Sequence, residues 1–245
     1  MTSLATVDRR TLLKALALAP TLAVSIPRTV RAQAQAAGLI SSDVCMVMPE
    51  LTEGPFYLDP KLIRADITEG RPGLPLALRL QVVTADCTPV AGARVDVWHC
   101  DGLGVYSGVE NLGGGADTVG QTFLRGTQVT DAAGVATFQT IYPGWYKGRT
   151  THIHYKVFLD QTTALTSQLF FAESVNDTVY RGQPPYDGRT EARDTLNGND
   201  GIAKQAGDGA YCTVTPVPGH YAAAMVVGIN PAAGSGLFDW LRRKI

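Results

Sequence analysis

"LRGTQVTDAAGVATFQTIYPGWYKGRTTHIHYKV", residues 124–157, carries three runs rich in β-branched and aromatic residues, separated by "DAAG" (131–134) and by "PG" (143–144). Such runs fit a pleated, half-buried surface, and both separators are turn chemistry. Asp131 is explained by the turn alone, since an Asp side chain bonds its own backbone two residues on. The same pattern extends outward. Upstream lie "LALRLQVVTAD" (76–86) and "ARVDVWHC" (93–100), and downstream "SQLFFA" (167–172) and "YAAAMVVGI" (221–229). With "LRGTQVTD", "VATFQTIY" and "HIHYKVFLD" these make seven short strands, which predict an all-β, single-domain β-sandwich. Two segments break the rhythm, 102–121 and the polar 176–201. Loops of that length inside a compact domain belong to function or disorder, so long active-site loops are expected. The terminal "GLFDWLRRKI" is expected to be a short helix packing Leu237 and Trp240 on the body.

A chain of 245 residues, 45% hydrophobic, is long enough to bury a full core. Residues 1–36 stand apart. "DRRTLLKALALAPTLAVSI" pairs Arg9 with Arg10 ahead of an apolar run, and "RAQAQA" offers small-residue cleavage sites. The pattern resembles a twin-arginine export signal, which leaves 37–245 as the folded domain. The apolar stretch from Ala15 to Ile26 is too short to span a bilayer and contains Pro20, so no stable membrane insertion is expected after removal of the signal. Removal takes five of 21 basic residues but one of 22 acidic ones, leaving a mildly acidic, exported protein, periplasmic or extracellular. That balance argues against nucleic acid and against anionic membranes. Cys45, Cys87, Cys100 and Cys212 are expected to be structural, with two disulfides possible in an oxidising compartment.

The chain has four histidines and places two of them at His152 and His154. On a strand, side chains two apart share a face, so both imidazoles can converge on one ion while Ile153 faces the opposite layer. No carboxylate close by completes a ligand set. Tyr146 and Tyr106 are better placed, the second in a glycine-rich loop just after "VDVWHC". A phenol near pKa 10 loses its proton at neutral pH only if a cation offsets about 4 kcal/mol. Hard trivalent iron does this, whereas zinc and copper favour imidazole, thiolate or carboxylate.

"WHCDGLGVYSG", the 124–157 stretch, "TSQLFF" and the upstream "LTEGPFYLD" closely resemble the intradiol ring-cleavage dioxygenases, the catechol and protocatechuate dioxygenase family, in the same order and from about residue 50 to 172. The resemblance implies a non-haem Fe(III) held by Tyr106, Tyr146, His152 and His154. The activity implied is cleavage by O2 of a small aromatic diol between its hydroxylated carbons, giving cis,cis-muconate-type products. Tyr146 would take up a substrate proton, Arg149 would stabilise charge developing at the ring, and Gln168 would assist Arg149. Pro55 and Tyr57 would line the substrate pocket. His99 is implied to be structural or to lie behind the ligands. Tyr142 and Tyr155 read as packing residues, and Tyr180 and Tyr186 as packing or as a cap on the site. Only five residues separate Tyr146 from His152, shorter than in the cytosolic members, so the likeness is to the secreted branch. The natural catechol and the oligomeric state stay open. "CTPVAGARVDVWHCD" and the run from 127 to 146 also resemble a prealbumin-like sandwich used as an exported binding or structural module. Such a module needs neither Tyr106 nor a second histidine. A zinc hydrolase built on the histidine pair would lack a general-base carboxylate.

Overall fold

The computed structural model describes residues 46–59, 61–110, 117–160 and 162–231. The export signal, Cys45, the terminal "GLFDWLRRKI" and the middle of the 102–121 loop lie outside the described residues. Among the described residues, eight strands form two four-stranded sheets. The first contains β1 (Pro75–Thr84), β4 (Val135–Ile141), β7 (Thr213–Val217) and β8 (His220–Ile229) in the order β4-β1-β8-β7. The second contains β2 (Arg94–Trp98), β3 (Arg125–Val129), β5 (His152–Leu159) and β6 (Thr162–Phe170) in the order β3-β2-β5-β6. All pairings are antiparallel except β1 with β8. The expected sandwich is therefore the observed fold.

Alternation builds its core. Leu76, Leu78, Leu80 and Val82 of β1 are buried at period two, with Phe138 of β4 and Met225 and Val227 of β8. They join one cluster with Val95 and Val97 of β2, Ile153, Tyr155 and Val157 of β5, and Leu169 of β6. Ile153 is fully buried there, on the face opposite the two histidines. The "DAAG" turn carries the chain from β3 in one sheet to β4 in the other. Asp131 Oδ1 accepts from the backbone N–H of Ala133 and of Val135, both at 2.9 Å, the turn role expected of it.

The structure corrects the sequence reading in several places. β6 starts five residues before "SQLFFA", at Thr162. β7 was not expected because Pro216 interrupts its pattern; it is an edge strand paired only to β8, where proline is tolerated. The polar 176–201 segment is not one long loop. Its start belongs to α1 (Glu173–Gly182), which buries only Asn176 and Val179 and so lacks a strong apolar stripe. Beyond it, α2 (Gly201–Ala206) is capped by Asp200, which accepts from the N–H groups of Ile202 and Ala203. Cys87 is disulfide-bonded, but Cys100 and Cys212 are free, buried thiols, so two disulfides do not form. Among the described residues no helix is long and apolar enough to cross a membrane.

Candidate metal centre

The site lies on the outer face of the second sheet. Register decides which side chains meet there. His154 pairs across to Trp98 of β2 on one side and to Gln168 of β6 on the other, and directly paired residues point to the same face. Trp98 stacks on the His154 ring, with centroids 4.8 Å apart and planes 11° from parallel.

The two tyrosines arrive on separate segments that dock backbone to backbone. Gly104 has φ +89°, and a Cβ on it would stand 2.4 Å from the Trp145 carbonyl oxygen. Gly144 is equally tight, since a Cβ there would lie 2.5 Å from the carbonyl oxygens of Asp101 and Gly102. Only glycine allows the Tyr106 and Tyr146 segments to approach this closely. Asp101 braces the first, its Oδ1 accepting from the N–H groups of Leu103 and Val105, each at 2.9 Å. Thr118 donates to the Tyr106 carbonyl at 2.7 Å.

The result is a convergence of four donor atoms. His152 Nε2 lies 3.1 Å from His154 Nε2, 3.2 Å from the Tyr146 hydroxyl and 3.4 Å from the Tyr106 hydroxyl. An imidazole nitrogen has one in-plane lone pair, which cannot serve two hydroxyls and a second nitrogen together. Ligands about 2.1 Å from one ion, at ordinary bond angles, stand about 3.0–3.4 Å from one another. The spacing is that of ligands sharing a centre, so these residues fit a metal. His152 Nδ1 lies 2.6 Å from the Thr150 carbonyl, which only accepts; Nδ1 therefore carries the proton and Nε2 presents its lone pair.

Electrostatics agree. Burial pushes His152 down to about 3, with the Arg149 charge acting the same way, and burial holds His154 well below its usual range. Both imidazoles are neutral at pH 7, as ligands must be. Burial raises Tyr106 well above the ordinary phenol value, and raises Tyr146 to about 12 against the opposing pull of Arg149. Ionising Tyr146 alone at pH 7 costs about 7 kcal/mol, so this phenol becomes a phenolate only beside a strong cation. Among the described residues no three His, Cys, Asp or Glu side chains group as a metal site. The candidate centre has two phenols in place of carboxylates and thiolates.

Beside the four donors, Arg149 Nη2 donates to Gln168 Oε1 at 2.6 Å, and Gln168 Nε2 donates to the Thr52 carbonyl at 3.0 Å. Residues 50–59 form a strap across this face. Pro55 is exposed on it; Tyr57 packs its ring 4.8 Å from Trp98 and donates its hydroxyl to buried Asp96 at 2.9 Å. The aromatic that meets the two candidate ligands is Phe56, stacked on Tyr106 at 4.4 Å and edge-on to Tyr146 at 6.3 Å.

A scan against family models matches the chain over residues 52–196 to a model described as Dioxygenase. The chain belongs to the intradiol ring-cleavage dioxygenase family. An intradiol ring-cleavage dioxygenase from Tetranychus urticae superposes with a TM-score of 0.73 at 33% identity, covering 79% of this chain and 98% of that one. The dioxygenase domain of a dioxygenase carbohydrate-binding protein fusion from Streptomyces sp. SirexAA-E gives 0.55 at 26% identity, over 76% and 99%. By sequence, a chlorocatechol 1,2-dioxygenase of a Pseudomonas species (strain P51) is 32% identical over 140 residues, 49% of this chain and 53% of that protein. Catechol 1,2-dioxygenase 1 of Acinetobacter lwoffii is 29% identical over 143 residues, 49% and 45%. The chain thus spans about half the length of these two relatives.

The structure of this family member places the six residues Tyr106, Tyr146, Arg149, His152, His154 and Gln168 at one locus. It also shows what the sequence did not signal. Phe56, the neighbour of Tyr57, stacks on Tyr106 and stands edge-on to Tyr146. Arg125, 2% exposed, ties the strap to the Tyr106 loop by donating to the Phe56 carbonyl at 2.6 Å and to the Ser107 carbonyl at 2.6 Å. Asp200 accepts from Arg149 Nε at 2.9 Å. Its one sequence cue, an Asp before a glycine-initiated helix, points to a cap rather than to this site. Tyr180 and Tyr186 do not cap the site. Tyr180 donates to the Pro143 carbonyl from α1, and Tyr186 is 2% exposed and donates to the Tyr142 carbonyl at 2.5 Å. His99 is held between the Cys100 carbonyl and Thr140 Oγ1, both at 2.7 Å, away from the donor cluster.

Proposed function

We propose that this chain is an exported, non-haem Fe(III) dioxygenase that uses O2 to cleave catechol-type rings between the two hydroxylated carbons, yielding cis,cis-muconate-type products. The observation that carries this reading is the convergence of two phenol oxygens and the His154 imidazole nitrogen within 3.1–3.4 Å of His152 Nε2, with Arg149 alongside. Membership of the family and the catechol dioxygenase relatives support it, and export rests on the Arg9-Arg10 leader.

Tyr106, Tyr146, His152 and His154 would hold the ferric ion, which supplies Lewis-acid binding of the diol oxygens and the means to engage O2. Tyr146 is the more accessible phenol, half-buried where Tyr106 is buried. Its high proton affinity suits its oxygen to take up a proton released by an entering diol. Arg149 presents a fixed cation beside the ring position, where it stabilises negative charge that grows during reaction and is already oriented to do so. Gln168, anchored through Thr52, holds one end of that guanidinium. Phe56 and Trp98 pack apolar surface against Tyr106 beside the ligands.

The test is a visible absorption spectrum with metal analysis on the purified protein, repeated after anaerobic addition of catechol. About one iron per chain and a broad tyrosinate-to-iron band that shifts with catechol are expected. A protein that stays colourless after reconstitution with ferric iron overturns the reading.

A further inference from the structure

We propose that Asp200 is the positioning residue of Arg149: from the far side of the chain it sets the direction of the guanidinium and pins the turn that precedes the histidine pair. This rests on the role assigned to Arg149 above. One buried carboxylate, 2% exposed, makes four hydrogen bonds. Its Oδ2 accepts from Arg149 Nε and from Thr150 N, both at 2.9 Å. Its Oδ1 accepts from Ile202 N at 2.8 Å and Ala203 N at 3.1 Å, capping α2. Arg149 is thereby held at two ends of a rigid planar fork, Nε by Asp200 and Nη2 by Gln168, which leaves its aim little freedom.

The rest of the 193–200 segment grips the same turn. Gly148 N donates to Asp194 at 3.0 Å, Thr150 Oγ1 donates to Asn197 Oδ1 at 2.7 Å, and Arg193 Nη2 donates to Thr150 Oγ1 at 3.3 Å. Thr150 in turn supplies the carbonyl that orients His152. Within that segment, Asp200 is the residue that reaches the guanidinium. As its closest acid, it also offsets the cation, so the site presents an aimed charge rather than a free one.

Asp200→Ala would remove both the cap and the anchor and so confound them. Asp200→Asn separates the two, because asparagine caps helices about as well as aspartate while its amide brings N–H groups to face Arg149 Nε. Asp200→Ser, also a good cap, is made alongside in case Asn fails to fold. With the iron-loaded full chain, either variant is expected to keep its iron and its visible band and to bind catechol anaerobically within about threefold of wild type, while kcat falls about 10- to 100-fold. In an Arg149→Ala background the same change at Asp200 is expected to lower kcat by less than about threefold, since only the bond from Thr150 N remains to be lost. Unchanged kcat in the single variant overturns the proposal, as does an equal loss with and without Arg149, which marks a purely structural role. Wild type that binds iron yet does not cleave catechol defeats the parent reading instead, and the two failures are told apart by the wild-type assay.

Discussion

At the scale of single residues, the site is defined by neutral donors that burial has prepared. Burial lowers the proton affinity of His152 and His154 and raises that of Tyr106 and Tyr146, so the cluster suits a cation strong enough to displace two phenolic protons. His154→Ala removes one of four donors and leaves a hole beside Trp98. We expect iron content to fall about tenfold or more on dialysis against a chelator, with loss of the visible band, measured by metal analysis. Full iron retention in that variant would mean that His154 is not a ligand.

At the scale of elements, β5 does two jobs by alternation. One face carries His152 and His154 to the site, while the other sends Ile153, Tyr155 and Val157 into the core between the sheets. The two faces should fail independently. Ile153→Ala is expected to cost about 2–5 kcal/mol of stability, through lost apolar burial and a cavity, while the folded protein still binds iron. Denaturant unfolding and metal content, measured on the same sample, separate the effects; loss of iron at full stability would contradict this division of faces. The strap at 50–59 and the 193–200 segment act as further elements without regular structure. They approach the sheet from opposite ends of the chain, and each closes part of the site with hydrogen bonds to it.

For the whole molecule, buried titratable groups set the pH range of stability. Burial pushes His99 down to about 4, the Cys100 carbonyl opposing and the Arg125 charge assisting. An unfolded chain takes up that proton near pH 6.5, and the folded chain only near 4. The contribution, on the order of 3 kcal/mol, is thus complete above about pH 6.5 and lost as pH falls toward 4. Asp200 acts lower. Burial works to raise it, but the Thr150 N–H and Arg149 prevail and hold its carboxyl below the usual range, so its contribution is lost only below about pH 4. Melting temperature is expected to drop steadily between pH 6.5 and 4 in wild type, and less steeply in His99→Gln. Equal slopes would remove His99 as the cause.

By itself the sequence determined what depends on neighbours along the chain. Runs rich in β-branched and aromatic residues predicted seven of the eight strands among the described residues, and turn residues such as Asp131 marked where they end. The spacing of His152 and His154 put both on one face, and two tyrosines in a ligand-poor context pointed to a hard cation. The exceptions were local patterns that lacked contrast, the proline-bearing β7 and the polar α1. Only the tertiary structure decided which distant residues complete the site. Register across β2, β5 and β6 aligned Trp98, His154 and Gln168, and the approach of backbones at Gly104 and Gly144 brought the tyrosines together. Phe56 came to stack on Tyr106, and Asp200 reached Arg149 across 51 positions of chain. These contacts are set by how sheets, strap and loops pack, and a local pattern carries no record of a partner so far away.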